Sequence, residues 1–408
     1  MTAPAAEGGC HDLFIGARQC VDPMRAIDLV WFNAGGGHRA AAVALQTSIE
    51  AQGLPWHVRK VNLTEVLDPN GLFQRVFGFE PEHVYNKRLA TGFTLGLAQE
   101  LKLLQRLIRM AHAAMVERLA EHWRATRPDL VVSLIPNFNR AMFDGLSLAR
   151  PGVPFVTVMT DMADHPPNFW IEPELEQHVV CGTDYAAAQA LAAGCPPYRV
   201  HCTSGMILRP EFYACGAIDR VAERARLGID ATTPTGLVLF GGTGSNAMKR
   251  IAARLPTTPL ILMCGRNERL ATELSAMQSD APRTVVGFTG DVARWMRLAD
   301  FFIGKPGPGS LSEAVQQGLP VIVTRNSWTM PQERWNTEWV VERDVGVVHR
   351  SFRSVQNAVD EIVRRLPALR RNVARVDNRA VFEVPGILER ILRDHGRVPA
   401  LRAVSIPA

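Results

Sequence analysis

The sequence predicts an α/β protein built as two Rossmann-like domains that face one another across a cleft. Three observations carry that expectation. The chain has 408 residues, too many for one ordinary core. Short apolar runs alternate along it with Ala- and Leu-rich stretches, the pattern of a parallel sheet covered by helices on both faces. The order strand, glycine-rich turn, helix opens the first half and recurs at the start of the second.

Residues 1–25 lack periodicity and read as a mobile N-terminal arm. Residues 26–32 read as a strand, Asn33-Ala34-Gly35-Gly36-Gly37-His38 as a glycine turn, and 39–52 as an Ala-rich helix stopped by Gly53. Further strands are expected at 58–63, 129–135, 154–160, 178–183 and 198–203, which completes an N-terminal domain over 26–206. Residues 207–233, less regular and bounded by Gly and Pro, read as a linker. The pattern restarts with a strand at 236–240, the turn Gly241-Gly242-Thr243-Gly244-Ser245 and a helix at 246–255. Strands at 260–264, 284–288, 300–303, 321–324 and 345–349 fill a C-terminal domain over 234–375. Residues 376–408 supply a C-terminal helix and tail, free to pack back on the first domain.

One segment breaks the alternation. Residues 95–124 hold no turn residue and read as a single long helix with Leu97, Leu101, Leu104, Ile108, Ala111 and Met115 on one stripe. Lys102, Arg106 and Arg109 keep the same rhythm on another face, downstream of Val76-Phe77-Gly78-Phe79. Such a helix either packs on the core with a solvated basic face or meets anionic lipid headgroups.

Composition narrows the functional classes. Apolar residues make up 47% and charged residues 21%, as in a globular soluble protein, and the net charge of +5 is too small to imply nucleic-acid binding. No apolar run approaches the ~20 residues that span a bilayer. The first nine residues lack the apolar core of a secretory signal, so a cytoplasmic location is the default expectation. The seven cysteines form no C-x-x-C pair, which argues against a disulfide framework or a structural zinc site.

The chemistry concentrates at a few turns. Gly304-Lys305-Pro306-Gly307-Pro308-Gly309-Ser310 lies between an apolar strand and a helix, where unpaired amides and the helix dipole attract phosphate. Glu313, one turn further on, suits a vicinal diol such as a ribose. His38 would place a base of near-neutral pKa beside another amide-rich helix start. Thr160-Asp161-Met162-Ala163-Asp164-His165 follows a strand, so Asp161 and His165 are expected at the cleft, with a turn-capping role for Asp161 as the alternative. Gln332 and Glu333 suit sugar hydroxyls, or simply start a helix. A G-x-G-x-x-G turn with a carboxylate about 20 residues on is missing, which argues against a nicotinamide cofactor.

These motifs, taken in order, resemble the monogalactosyldiacylglycerol synthase family. The matching residues are Gly35-Gly36-Gly37-His38-Arg39-Ala40, Thr160-Asp161 with His165-Pro166, Cys264-Gly265-Arg266-Asn267, Gly287-Phe288, Lys305-Pro306-Gly307-Pro308-Gly309, Glu313-Ala314 and Gln332-Glu333 with Asn336. Residues 73–96 and 326–330 depart from the family pattern. The resemblance implies a GT-B fold, a UDP-sugar co-substrate on the C-terminal domain, a lipid acceptor on the N-terminal domain, and no metal or other cofactor. It places Gly242, Thr243, Gly265, Arg266, Phe288, Pro308, Gly309, Ser310, Glu313, Gln332, Glu333 and Asn336 at the donor. Within that set Phe288 serves uracil through its backbone, Pro308, Gly309 and Ser310 hold phosphate, Glu313 the ribose, and Gln332 and Glu333 the sugar. Gly36, Gly37 and His165 fall to the acceptor. His38 is the implied base, with Asp161 orienting it or taking its place.

The expected function is therefore an inverting hexosyl transfer from a UDP-sugar to a lipid hydroxyl, diacylglycerol or a related glycolipid. The location would be peripheral, on the cytoplasmic face of an anionic membrane surface. A UDP-N-acetylglucosamine 2-epimerase, or a non-catalytic nucleotide-sugar-binding protein, are the alternatives.

Overall fold

The computed structural model describes residues 24–32, 36–69, 105–165, 168–214, 216, 218–327 and 329–395. The N-terminal arm up to residue 23, Gly35, Val76 to Phe79, Leu97, Leu101, Lys102, Leu104, Pro166 and the tail from residue 396 lie outside these.

The first half carries strands β1 (Arg25–Trp31), β2 (Trp56–Asn62), β3 (Leu130–Ser133), β4 (Phe155–Val158), β5 (His178–Cys181) and β6 (Val200–Cys202). The second carries β7 (Gly236–Leu239), β8 (Leu260–Met263), β9 (Arg283–Val286), β10 (Phe301–Gly304), β11 (Val321–Thr324) and β12 (Gly346–His349). They form two six-stranded sheets, ordered β2-β1-β3-β4-β5-β6 and β12-β11-β10-β7-β8-β9. Every strand pair is parallel. Central strands such as β3, β4, β7, β8 and β10 are buried along their whole length, which is why they read as unbroken apolar runs instead of alternating ones.

Strand order fixes where ligands sit. In the first sheet the chain leaves β1 towards β2 and returns to the other side of β1 as β3. In the second it leaves β7 towards β8 and β9 and returns beside β7 as β10. Each reversal opens a crevice at the carboxyl ends of the two strands that flank it. The turns that follow β1 and β3 therefore share one crevice, and those that follow β7 and β10 share the other.

Two connections join the halves and are clamped together. Asn378 donates from Nδ2 to the Met206 carbonyl at 2.9 Å, and the Arg379 amide donates to Ser204 Oγ at 2.7 Å. A Cβ on Gly205 would lie 2.5 Å from Asn378 Cγ, so only glycine lets the crossings touch. The helix Ala380–His395 then lies on the first half, where Val384, Ile387, Leu388 and Ile391 join the core of Ile27, Leu29, Ala42 and Leu45.

Two segments differ from their sequence reading. Residues 207–233 contain the helix Arg220–Arg226, whose Arg224 is fully buried and pairs with Asp300 at 2.9 Å. Arg220 and Arg370 converge on the same carboxylate. This helix is held by charge, so hydrophobic periodicity gives no sign of it. Among the described residues of 95–124, a break at Ala111 separates helical residues 105–110 from the helix His112–Thr126. Leu107 and Met110 are exposed beside Arg106 and Arg109, while Ile108 and Met115 are partly buried.

Candidate active site

At the first crevice the turn after β1 ends in Gly36, which has φ +78° and stands at the N-cap of the helix Gly37–Ala51. A Cβ on Gly36 or Gly37 would meet none of the described residues within 4 Å. His38 projects from that first turn. Its Nδ1 lies 2.8 Å from the Leu134 carbonyl, which follows β3, and 3.0 Å from Thr160 Oγ1, which follows β4. Only an N–H can meet a carbonyl oxygen, so Nδ1 carries the proton and Nε2 holds the lone pair. Phe32 stacks on the ring at 4.9 Å and Trp170 lies at 6.0 Å. Burial among these rings pulls His38 down to about 4 against the opposing pull of the Leu134 carbonyl. The imidazole is thus neutral at physiological pH, with Nε2 ready to accept a hydrogen bond.

Asp161 belongs to the same crevice but does not orient His38; the Leu134 carbonyl and Thr160 do. Its Oδ2 accepts from Trp170 Nε1 at 2.9 Å. Burial pushes Asp161 up to about 7, opposed by the indole hydrogen bond and by Lys305, and reinforced by Glu333 from the other half. A carboxyl at that value suits proton transfer near neutrality. Trp170 is fully buried and fixed at its backbone: Asn139 Nδ2 donates to its carbonyl, and Asp164 Oδ1 accepts from its amide at 2.7 Å. Asp164 also accepts from the amides of Asn168 and Phe169, and so closes the loop that carries Trp170. No sequence periodicity reports Trp170 or Leu134, because one acts through an indole nitrogen at the end of a loop and the other through its backbone.

His165 stands apart from His38. It stacks on Tyr185 at 6.4 Å, and Tyr185 in turn stacks on Trp335 of the second half at 4.5 Å and 7°. This aromatic ladder bridges the halves. Behind it a cavity of about 680 Å³ is bounded by Thr183, Ser204, Glu338 and Asp377.

At the second crevice, the turn after β7 is stitched to the turn after β8. Arg266 donates from its amide to the Gly242 carbonyl at 2.9 Å, and Asn267 Nδ2 donates to the Thr243 carbonyl at 3.1 Å. Gly265 has φ +59°, and a Cβ there would fall 2.2 Å from Gly242 O. Gly242 and Thr243 are exposed. Arg266 lies over the Phe288 ring at 4.2 Å, and that ring is 62% exposed.

The helix Pro308–Gln316 starts in the same crevice with Gly307 as N-cap, Pro308 at its first position, no side-chain cap and no acid in its first turn. The amides of Gly309 and Ser310 are left without intrahelical partners. Glu313 keeps some accessible surface, yet burial pushes it up to about 7, opposed by Arg209 and helped by Glu211. Gln332 and Glu333 are both buried, and Glu333 Oε1 accepts from Lys305 Nζ at 2.8 Å. Asn336 is fully buried and donates from Nδ2 to the Pro306 carbonyl at 2.7 Å.

The structure thus gathers His38 and Asp161 at one switch point and Gly242, Thr243, Gly265, Arg266, Pro308, Gly309 and Ser310 at the other. Among the described residues no cluster of three or more His, Cys, Asp or Glu is arranged to hold a metal ion.

The monogalactosyldiacylglycerol (MGDG) synthase family matches residues 38–205, the half that carries His38 and Asp161. A probable monogalactosyldiacylglycerol synthase of Nicotiana tabacum is 27% identical over 405 residues, covering 93% of this chain and 73% of the relative. The monogalactosyldiacylglycerol synthase of Spinacia oleracea is 27% identical over 365 residues, covering 85% and 67%. Among solved structures, the UDP-GlcNAc 2-epimerase of Neisseria meningitidis superposes with a TM-score of 0.57 at 15% identity, over 90% of this chain and all of that one. MurG of Acinetobacter baumannii gives a TM-score of 0.53 at 14% identity, over 90% of this chain and all of that one. The two structures share the GT-B architecture with this chain, and at such identity they speak for the fold alone. In sequence both halves of the chain are thus similar to the monogalactosyldiacylglycerol synthases, and its two parallel sheets share the GT-B fold.

Proposed function

We propose that the chain transfers a hexose from a UDP-sugar to the free hydroxyl of diacylglycerol, with inversion, at a membrane surface. The acceptor oxygen bonds to the anomeric carbon as that carbon's bond to the diphosphate breaks. The electron pair leaves with UDP, and the hydroxyl proton passes to His38 Nε2 or to the Asp161 carboxylate. The amides of Gly309 and Ser310, at the positive end of their helix, meet the charge that develops on the diphosphate. Glu313 takes the ribose diol, Gln332 and Glu333 the sugar, and Gly36 and Gly37 leave room for the acceptor. No cofactor beyond the UDP-sugar is required, and turnover should survive EDTA.

One observation carries this reading: a neutral imidazole, with its proton held by the Leu134 carbonyl, stands at one switch point, and an uncapped helix start stands at the other. Contact with lipid is supported by the exposed Leu107 and Met110 beside Arg106 and Arg109, apolar and cationic groups that suit an anionic headgroup layer. Among the described residues no helix is long and apolar enough to cross a membrane.

The test supplies labelled UDP-galactose, UDP-glucose and UDP-N-acetylglucosamine in turn, with and without diacylglycerol vesicles. Label should become lipid-extractable only with diacylglycerol, and the product should be a β-glycoside by the anomeric coupling in its NMR spectrum. Conversion of a UDP-sugar without any lipid would instead make the chain an epimerase. Donor binding without transfer would leave it a nucleotide-sugar-binding protein.

A further inference from the structure

The Lys305–Glu333 pair occupies ground where an anion is expected. The ammonium and the carboxylate meet at 2.8 Å directly over Gly307, the N-cap of the helix Pro308–Gln316. A Cβ built on Gly307 would lie 3.4 Å from Glu333 Oε1 and 3.6 Å from Lys305 Nζ. Glu333 is 4% exposed, so its carboxylate depends on protein partners for its charge. Lys305 is the partner that the structure supplies. Two neighbouring acceptors, Gln332 Oε1 and Asn336 Oδ1, are buried with no hydrogen-bond partner among the described residues. This corner of the fold is short of donors in the free protein.

We propose that Lys305 changes partner during the reaction, from Glu333 in the free protein to the donor diphosphate in the complex, so that Glu333 is a resident anion displaced by the donor. The inference rests on the donor reading above and assigns Lys305 a role in it. Once released, the buried Glu333 carboxylate needs new donors, and sugar hydroxyls supply them. UDP alone takes the ammonium and strands Glu333, whereas a UDP-sugar satisfies both groups. Donor affinity is thereby coupled to the presence of the sugar. When the glycosyl bond breaks, the ammonium already stands where charge grows on the leaving UDP.

Titration calorimetry with uridine, UDP and UDP-galactose on three variants tests this. Glu333→Gln frees Lys305 in advance, so UDP should bind several-fold tighter than to the wild type and UDP-galactose should lose its advantage over UDP. Lys305→Met should weaken UDP about tenfold to a hundredfold, the weight of one charge-assisted hydrogen bond, with Lys305→Arg intermediate. Uridine should bind all of them alike, which also shows that each variant is folded. UDP binding to Glu333→Gln with unchanged or lower affinity would overturn the partner exchange while leaving the donor site in place. A wild-type protein that binds no UDP would overturn both.

Discussion

Where β1 and β3 end, the cleft is walled by rings: Phe32 and Trp170 enclose His38, and the Trp170 indole holds Asp161. Where β7 and β10 end, it is walled by glycines, helix-start amides and the Lys305 ammonium. The two crevices arise from the same topological reversal, yet on the proposed function one handles the proton and the other the negative charge of the donor. In the first, burial decides: it lowers His38 to about 4 and raises Asp161 to about 7. In the second, backbone geometry decides, and Gly265 at φ +59° packs so closely on Gly242 that no other residue fits. One fold plan thus yields a ring-walled crevice or an amide-walled crevice according to what fills the turns.

The sharpest way to break this division is His38→Ala. Turnover should fall by about two to four decades, as for loss of a general base. Initial rates of lipid glycosylation check this, and a rate within threefold of wild type would remove His38 from the chemistry. On the opposite side, Glu313→Ala should weaken donor binding about tenfold to a hundredfold, the effect of losing charged hydrogen bonds to a diol. Calorimetry with UDP reads it directly, and unchanged affinity would end the ribose assignment.

The pH profile sharpens the comparison within the first crevice. If the Asp161 carboxylate takes the proton, the rate should climb about tenfold per pH unit until Asp161 ionises near pH 7, then level off. Asp161→Asn should abolish that limb. Were His38 the base alone, the limb would lie near pH 4 and survive the substitution.

The smallest expected effect is on stability. Asp161 and Glu313 both have folded values raised to about 7. Between the ordinary carboxyl range and that value, the folded chain binds more protons than the unfolded one. The contribution of these two carboxyls to stability is therefore fully present below pH 4, falls between pH 4 and 7, and is level above that. Asp161→Asn should raise the melting temperature by about 1–3 °C at pH 8 and leave it unchanged at pH 4. An equal shift at both pH values would mean that ionisation of Asp161 is not the cause.

Much of this was legible in the sequence. Alternating apolar runs located the described strands, because parallel strands buried on both faces leave no polar alternation to confuse the reading. Gly36 and Gly265 marked turns where the backbone takes a positive φ. Groups that act through tertiary contact stayed hidden. The Leu134 carbonyl orients His38 from 96 residues away, and nothing about leucine announces it. Nothing in the sequence singles out Trp170, whose indole nitrogen donates to Asp161. Asn336 reads as a donor-site residue, and only the fold shows that its Nδ2 braces the Pro306 carbonyl. The helix Arg220–Arg226 was invisible to periodicity because arginines converging on Asp300 hold it in place.

The division of labour between the crevices is tested most directly by the UDP dissociation constant of His38→Ala, measured beside its turnover. Wild-type UDP affinity with turnover lost is the expected result, since the anion-handling crevice owes nothing to the imidazole. A parallel loss of affinity and turnover would contradict it, and would make the two crevices a single site that cannot be divided.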